Sequence, residues 1–150
     1  MRGCTFVESA SGNKSAIFAL DVNGATISNN TINNRPYNAI QIGSRSGRTS
    51  TGLIKITENT ITGTKSRGIR ISALENARLE MLSNYLSDVN LTDKNDEYVK
   101  ISGCYNTEYV FKTGGDNSNK YNGIVFGEGN GILISDPAIR TITDHKHTIE

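Results

Sequence analysis

Apolar and polar residues recur along this chain in a fixed local order. Three six-residue segments, ISNNTI, ITENTI and MLSNYL, read apolar, two variable residues, Asn, one variable residue, apolar. Their asparagines are Asn30, Asn59 and Asn84, and they are 29 and 25 residues apart. A repeat of this length that contains short β segments predicts a solenoid, in which each copy forms one coil.

The apolar residues around each Asn predict a bend in the backbone. Residues three before and two after the Asn cannot face the same side of one straight strand, because side chains alternate along a strand. One strand should therefore end before the Asn, and the next should begin after it. We expect the Asn to adopt the left-handed conformation at this bend, and its amide to hydrogen-bond to the Asn of the next coil.

Weaker copies extend this register towards both ends of the chain. CTF places Cys4 in the Asn position, ISGCYN places Cys104 there, and ISDPAI places Pro137 there. Coils stack about 4.8 Å apart, so four coils would separate the two cysteines by about 19 Å, beyond the reach of a disulfide.

A second recurring element alternates with a period of two, which indicates half-buried strands. AIQI (39–42), GIRI (68–71) and GIVF (123–126) fit the first strand of successive coils. GILI (131–134) fits the second strand of the last coil.

Two further segments bear on the fold class. Phe18, Leu20 and Val22 alternate like the other strands. ALENARLEML (73–82) has a helix-like composition, but it lies inside the repeat and is predicted to be a strand. The chain is therefore expected to be nearly all β.

The pattern resembles the right-handed parallel β-helix of pectate lyases and phage tailspikes, in which an Asn ladder marks the turn between the second and third strands of each coil. The resemblance implies an all-β, single-stranded parallel β-helix of about five coils, with Asn30, Asn59 and Asn84 as its structural ladder. We assign residues 1–142 to this domain and residues 143–150 to a polar C-terminal tail.

The chain enters the repeat in the middle of a coil at Cys4. Such an end would expose core side chains and unpaired strand edges. We therefore expect either a fragment of a longer protein, truncated at its N-terminal end, or an end covered by another subunit. The resemblance to tailspikes implies a homotrimer.

Charge and hydropathy exclude several function classes. The net charge of +1 gives no basic stripe for nucleic acid. The chain has no apolar run long enough for a membrane span and no recognisable signal peptide. Asp144, His145 and His147 could contribute to a metal site, but a third ligand is not visible, so a polar terminus is favoured. We expect no metal and no cofactor.

Candidate ligand-binding residues cluster on and before the first strands. Gln41 and Arg70 occupy the same outward position in consecutive coils, and the preceding loops supply Tyr37 and Arg67. Aromatic rings stack on sugars, and planar donors recognise hydroxyls and carboxylates. These four residues are the predicted carbohydrate-binding set; the alternative is an ordinary solvated edge with compensating charges.

Catalytic residues are not identified. Glycosidases of this fold use paired carboxylates, but the adjacent Asp pairs and Gly-His-Gly segment of polygalacturonase-like sites are absent, as is the acidic calcium-binding pattern of pectate lyases. Asp21, Glu58 and Asp88 are the only acids close to predicted strand ends, and each fits a surface charge better than a catalyst.

The resemblance thus favours a tailspike-like or appendage-like β-helix, in the virion (phage tail) or outside the cell, that binds a bacterial surface polysaccharide. Whether it also degrades the polysaccharide stays open. One alternative is a secreted polysaccharide lyase or glycoside hydrolase, and another is a structural stalk without catalysis.

Overall fold

All regular secondary structure that the computed structural model describes is β-strand. The described residues are 1–6, 15–34, 37–44, 46–89, 97–112, 116–128 and 131–135. Within these ranges no helix is long and apolar enough to cross a membrane.

The strands form three sheets. Sheet 1 contains β2 (Ile17–Leu20), β5 (Ile40–Gly43), β8 (Ile69–Ser72), β11 (Val99–Ser102), β15 (Gly127–Glu128) and β16 (Gly131–Ser135). Sheet 2 contains β3 (Asn23–Ser28), β6 (Ser50–Thr57), β9 (Leu74–Leu82) and β12 (Glu108–Phe111). Sheet 3 contains β1 (Thr5–Phe6), β4 (Thr31–Asn33), β7 (Thr60–Thr62), β10 (Tyr85–Ser87), β13 (Lys120–Tyr121) and β14 (Ile124–Val125).

From β2 to β13 the chain visits sheets 1, 2 and 3 in strict rotation, and every strand pairs in parallel with the equivalent strand of the next turn. This is a β-solenoid of about four turns, slightly fewer than the five expected. The all-β prediction is confirmed, including the strand β9 in place of a helix. The right-handed winding stays a prediction.

The core is a stack of identical or similar side chains. Ile40, Ile69 and Val99 pair across sheet 1, as do Ile42, Ile71 and Ile101, and all six are fully buried. Burial of one such side chain contributes about 1.5–3 kcal/mol. Because each coil places apolar residues above those of its neighbour, a narrow core suffices to hold the stack together.

The predicted Asn ladder is present and fully buried. The Nδ2 of Asn30 donates to the Oδ1 of Asn59 (2.9 Å), and Asn59 donates in the same way to Asn84 (3.0 Å). Asn84 donates to Asn119 (2.9 Å), which forms a fourth rung. The backbone N of Cys4 donates to the Oδ1 of Asn30 (3.0 Å), so Cys4 does occupy the corresponding position in the first coil.

The left-handed residue at this bend is the one before the Asn, which corrects our prediction. Asn29, Glu58 and Ser83 have φ values of 53°, 57° and 56°, whereas the ladder asparagines do not have positive φ. The strained residue points outwards, while the Asn turns inwards to hydrogen-bond along the stack.

The assignment of Cys104 to the ladder is wrong. Ile101 lies in β11 and pairs with Ile71, and Tyr105 bridges to Glu75, so Cys104 lies at the corner between sheets 1 and 2. The ladder runs along the corner between sheets 2 and 3. Cys4 and Cys104 form no disulfide with each other, as expected, and they occupy different corners of the coil.

Two strand assignments are also corrected. GILI (131–134) belongs to β16 and pairs with β11, so it is a first strand and not a second. GIVF (123–126) is not a first strand, because β14 turns back and pairs antiparallel with β13. The first strand of that coil is β11, where Val99 and Ile101 face the core.

The side chains of β2 alternate between the two faces as predicted, but the set that faces the core is the opposite one. Phe18 is 58% exposed, while Ile17 is buried and pairs with Ile40. A shift of one residue exchanges the two faces of a strand. Pro137 and the predicted tail (143–150) lie outside the described residues.

Candidate functional site

Sheet 1 carries a straight column of outward-facing side chains, which we call the outer column. Direct pairing across neighbouring strands aligns its members, Phe18, Gln41, Arg70, Lys100 and Leu133. Successive positions in such a column lie about 4.8 Å apart. The predicted alignment of Gln41 with Arg70 is confirmed, and the column extends one further polar residue to Lys100.

Small residues lie beside the outer column. Gly43, Ser72 and Ser102 take the next outward position along β5, β8 and β11. A Cβ on Gly43 would lie 3.0 Å from the Oγ of Ser72, so a larger residue would crowd this surface. The positions beside the outer column are therefore occupied by small residues on three consecutive strands.

Hydrogen bonds hold the centre of the outer column in place. The Oε1 of Gln41 accepts from the Oγ of Ser15 and from the Nδ2 of Asn38, both at 3.1 Å. Arg70 donates from Nη1 to the hydroxyl oxygen of Tyr37 (3.3 Å). Tyr37, Gln41 and Arg70 thus come together, as predicted from sequence.

The charges on this face do not cancel within the described part of the chain. Arg67 donates from Nε and Nη2 to the Oε2 of Glu97 (3.3 and 3.0 Å), which neutralises that pair. Among the described residues, Arg70 and Lys100 have no carboxylate partner. The Nε of Arg70 and the Oδ1 of Asn38 are buried without a hydrogen-bond partner in the described part of the chain. Unpaired buried polar atoms are costly and often mark functional positions.

The outer face of sheet 2 provides a contrast. Glu80 accepts from Lys55 (3.3 Å) and Arg78 (2.9 Å), and Arg78 also contacts Glu108 (2.7 Å). Partial burial acts to raise the pKa of Glu80, but hydrogen bonds and charge from Arg78 and Lys55 together outweigh it and lower that pKa. The hydrogen bond with Glu80 raises the pKa of Arg78. These charges on sheet 2 therefore pair with one another, whereas Arg70 and Lys100 in the outer column have no carboxylate partner among the described residues.

The three acidic candidates lie at three separate corners. Asp21 follows β2 and lies 3.8 Å from Arg48, Glu58 precedes the ladder residue Asn59, and Asp88 follows β10. All three have positive φ, between 49° and 57°. Their shared property is a position in a tight bend, and the fold does not bring them together as a carboxylate pair.

Sequence reasoning missed Lys100, because the Cys104 register moved its segment to another strand. A signal was nevertheless present. Four segments repeat the order apolar, variable, apolar, small, and they are IQIG (40–43), IRIS (69–72), VKIS (99–102) and ILIS (132–135). The second position of each segment is a member of the outer column.

Within the described ranges, no group of three or more His, Cys, Asp and Glu side chains could hold a metal ion. The DHKH segment with Asp144, His145 and His147 lies outside those ranges. In comparisons with known proteins, no protein-family model, no curated protein and no solved structure matches this chain.

Proposed function

We propose that this β-solenoid binds an extended, anionic polysaccharide across the outer face of sheet 1. The observation that carries the proposal is the outer column, in which Gln41, Arg70 and Lys100 stand in register and the two positive charges have no carboxylate partner among the described residues. Tyr37, Gln41, Arg67 and Arg70 are the proposed binding residues, together with Lys100.

The regular spacing favours a polymer over a small molecule. Side chains of the outer column repeat at the coil spacing of about 4.8 Å. Such a surface offers contact points at a regular spacing, which suits a ligand made of repeating units. The Arg67–Glu97 pair lies just before β8 and β11 and can orient the polymer through hydroxyl hydrogen bonds.

The excess positive charge favours carboxylate or sulfate groups on the ligand. Arg binds carboxylates through two parallel hydrogen bonds, and Lys acts as a compact positive charge. Arg70 lies against Tyr37, so a sugar ring could contact the aromatic ring while its carboxylate meets the guanidinium.

The proposal includes a tailspike-like setting, in which a homotrimer in the virion presents this face to a bacterial surface polysaccharide. The parallel solenoid is compatible with that role. Sedimentation equilibrium of the purified chain tests it: a trimer is expected, and a monomer that persists at high concentration would contradict the setting without affecting the binding proposal.

Binding is tested with a panel of anionic and neutral polysaccharides by isothermal titration calorimetry. The double variant Arg70→Ala/Lys100→Ala should bind the anionic ligand at least tenfold more weakly and with a smaller dependence on salt. The matched control is Arg48→Ala/Lys120→Ala, which removes the same two charges from other surfaces and should leave affinity unchanged.

Three outcomes discriminate the alternatives. Equal loss in both double variants would show a nonspecific charge effect and overturn the proposed site. Release of reducing ends or unsaturated products from the polysaccharide would add a lyase or hydrolase activity to the binding function. Absence of both binding and cleavage by the wild-type chain would support a structural stalk.

A further inference from the structure

The last described coil contains a cleft that sequence reasoning did not reveal. Its volume is about 250 Å³, and it is lined by Tyr98, Tyr121, Asn122, Ile124, Val125 and Phe126. The cleft is separate from the outer column, although Tyr98 directly precedes β11, which carries Lys100.

Aromatic packing builds the floor of the cleft. Tyr98 and Tyr121 stack with ring centroids 3.6 Å apart and an angle of 10° between their planes. Phe126 meets Tyr98 edge-to-face at 5.5 Å and 78°. Gly131 makes room for this arrangement, because a Cβ there would lie 2.5 Å from the Cδ2 of Tyr98. The rings are thus held in place before any ligand arrives.

The rim is the turn of the hairpin that interrupts the solenoid. Asn122 and Gly123 connect β13 to β14, and both have positive φ (48° and 82°). A two-residue turn with both residues in this region matches the twist of antiparallel strands. Ile124 follows the turn and is 72% exposed, so it offers apolar surface at the edge of the cleft.

The lining indicates the chemistry of a ligand. None of the six lining residues is charged, so the described lining favours an uncharged ligand. Aromatic rings and Ile124 offer apolar surface to the C–H face of a sugar, while the Asn122 amide and the tyrosine hydroxyls can meet its hydroxyl groups. The volume lies below the range of about 300–1,000 Å³ that is typical for drug-sized ligands, so a single ring is the appropriate size.

We propose that this cleft binds one neutral sugar ring, at a site distinct from the outer column. The choice of a sugar rests partly on the proposed polysaccharide-binding function, but the cleft is built from different residues and favours an uncharged ligand. A polysaccharide with neutral side branches or a neutral terminal residue could therefore contact both sites.

Saturation-transfer NMR with neutral methyl glycosides tests this proposal, with a uronic acid and cyclohexanol as comparison ligands. The wild-type chain should bind at least one neutral glycoside in preference to both comparison ligands. Asn122→Gly/Ile124→Ala should weaken that binding at least tenfold. Gly accepts the positive φ of Asn122, so this variant keeps the turn while it removes the amide and the apolar rim.

Two further variants control for folding and position. Tyr121→Phe keeps the stacked ring and removes only its hydroxyl, so it should weaken binding several-fold in a chain that folds normally. Tyr85→Ala removes a 42% exposed tyrosine elsewhere on sheet 3 and should have no effect.

The outer-column variant Arg70→Ala/Lys100→Ala should leave glycoside binding unchanged. If glycoside binding is lost in that variant and survives in the cleft variants, the cleft proposal is wrong and the outer column binds both ligands. If cyclohexanol binds as well as any glycoside, the cleft is an unspecific apolar pocket. If no neutral glycoside binds while the anionic polysaccharide does, this inference fails and the proposed function stands.

Discussion

Replacement of Asn59 by Ala probes the ladder at its most buried point. The side chain is fully buried and takes part in four hydrogen bonds. Its Oδ1 accepts from the backbone N (3.1 Å) and the Nδ2 (2.9 Å) of Asn30. Its Nδ2 donates to the Oδ1 of Asn84 (3.0 Å) and to the carbonyl oxygen of Ile27 (3.0 Å).

The expected loss of stability depends on which hydrogen-bond partners of Asn59 keep another partner after the substitution. The Oδ1 of Asn84 still accepts from the backbone N of residue 59, so it loses one of two donors. The backbone N of Asn30 loses the partner described here, and an unsatisfied buried donor costs about 1–3 kcal/mol. With about 0.5–1.5 kcal/mol for each of the three other lost hydrogen bonds, we expect Asn59→Ala to lower the free energy of unfolding by at least about 2.5 kcal/mol.

Thermal unfolding followed by circular dichroism measures this effect. For a chain of this length, 1 kcal/mol shifts the Tm by about 2–4 °C, so the expected decrease is at least about 5 °C. Asn30→Ala should cost less, because Asn30 hydrogen-bonds partly to the exposed first residues. Thr60→Ala is a control on the exposed side of the same corner and should change the Tm by less than about 2 °C.

A double-mutant cycle sharpens the test. Asn59→Ala and Asn84→Ala remove the same interaction, so their combined effect should fall short of the sum by at least about 0.5 kcal/mol. A Tm for Asn59→Ala within error of the wild type, or strict additivity in the cycle, would refute the conclusion that the ladder stabilises the stack.

Three further changes test the charges and the backbone. Glu80→Gln should reduce the loss of stability on acidification, because the folded-state pKa of Glu80 is lowered. The stabilisation from ionised Glu80 is present above the ordinary pKa of about 4.3 and is lost as the pH falls through the folded-state pKa. Unfolding of both chains between pH 5 and pH 2 measures the difference. Ala73→Gly should stabilise the chain by about 0.5–1 kcal/mol, because Ala73 has a φ of 53°. Ala77→Gly in β9 should destabilise it by a similar amount. A higher urea midpoint for Ala77→Gly than for Ala73→Gly would contradict this account. Gly68→Ala should destabilise the chain by about 1–3 kcal/mol, because the added Cβ would lie 2.6 Å from the Cδ2 of Leu86. An unchanged urea midpoint would show that Leu86 moves aside freely.

The outer faces of sheets 1 and 2 differ in how their charged side chains are paired. On sheet 2, Lys55, Arg78, Glu80 and Glu108 neutralise one another along the stack. On sheet 1, Arg70 and Lys100 stand in equivalent outward positions of neighbouring coils without carboxylate partners in the described part of the chain. Like charges in register on neighbouring strands are destabilising, so a ligand with negative charge would relieve a cost that the free protein bears.

The sequence alone was sufficient for the fold class and for the centre of the ladder. Asn30, Asn59 and Asn84 share an apolar residue three positions before and another two positions after, so the pattern identifies the bend and its buried amide together. The alternation in β5 and β8 likewise predicts that Gln41 and Arg70 align. These features are local, and each coil repeats them.

Tertiary structure decided the register beyond Asn84. Asn119 forms the fourth rung of the ladder, although Asp116 stands where the other copies of the repeat have an apolar residue. Ile101 and Cys104 match part of the repeat, but they lie at a different corner. Both corners join two short strands through a tight bend, so a local pattern cannot distinguish them. The choice depends on which strands of the preceding coil offer hydrogen bonds and core contacts.

The same reason explains why the cleft was not foreseen. Tyr98 and Tyr121 are distant in sequence and meet only because β11 and β13 belong to adjacent parts of the last described coil. Hydrophobic periodicity reports which side of a strand faces inwards, and it carries no information about which coil lies above. Hydrogen bonds between distant segments determine how the coils stack. This stacking, and not the local pattern, therefore decides which side chains of different coils come together.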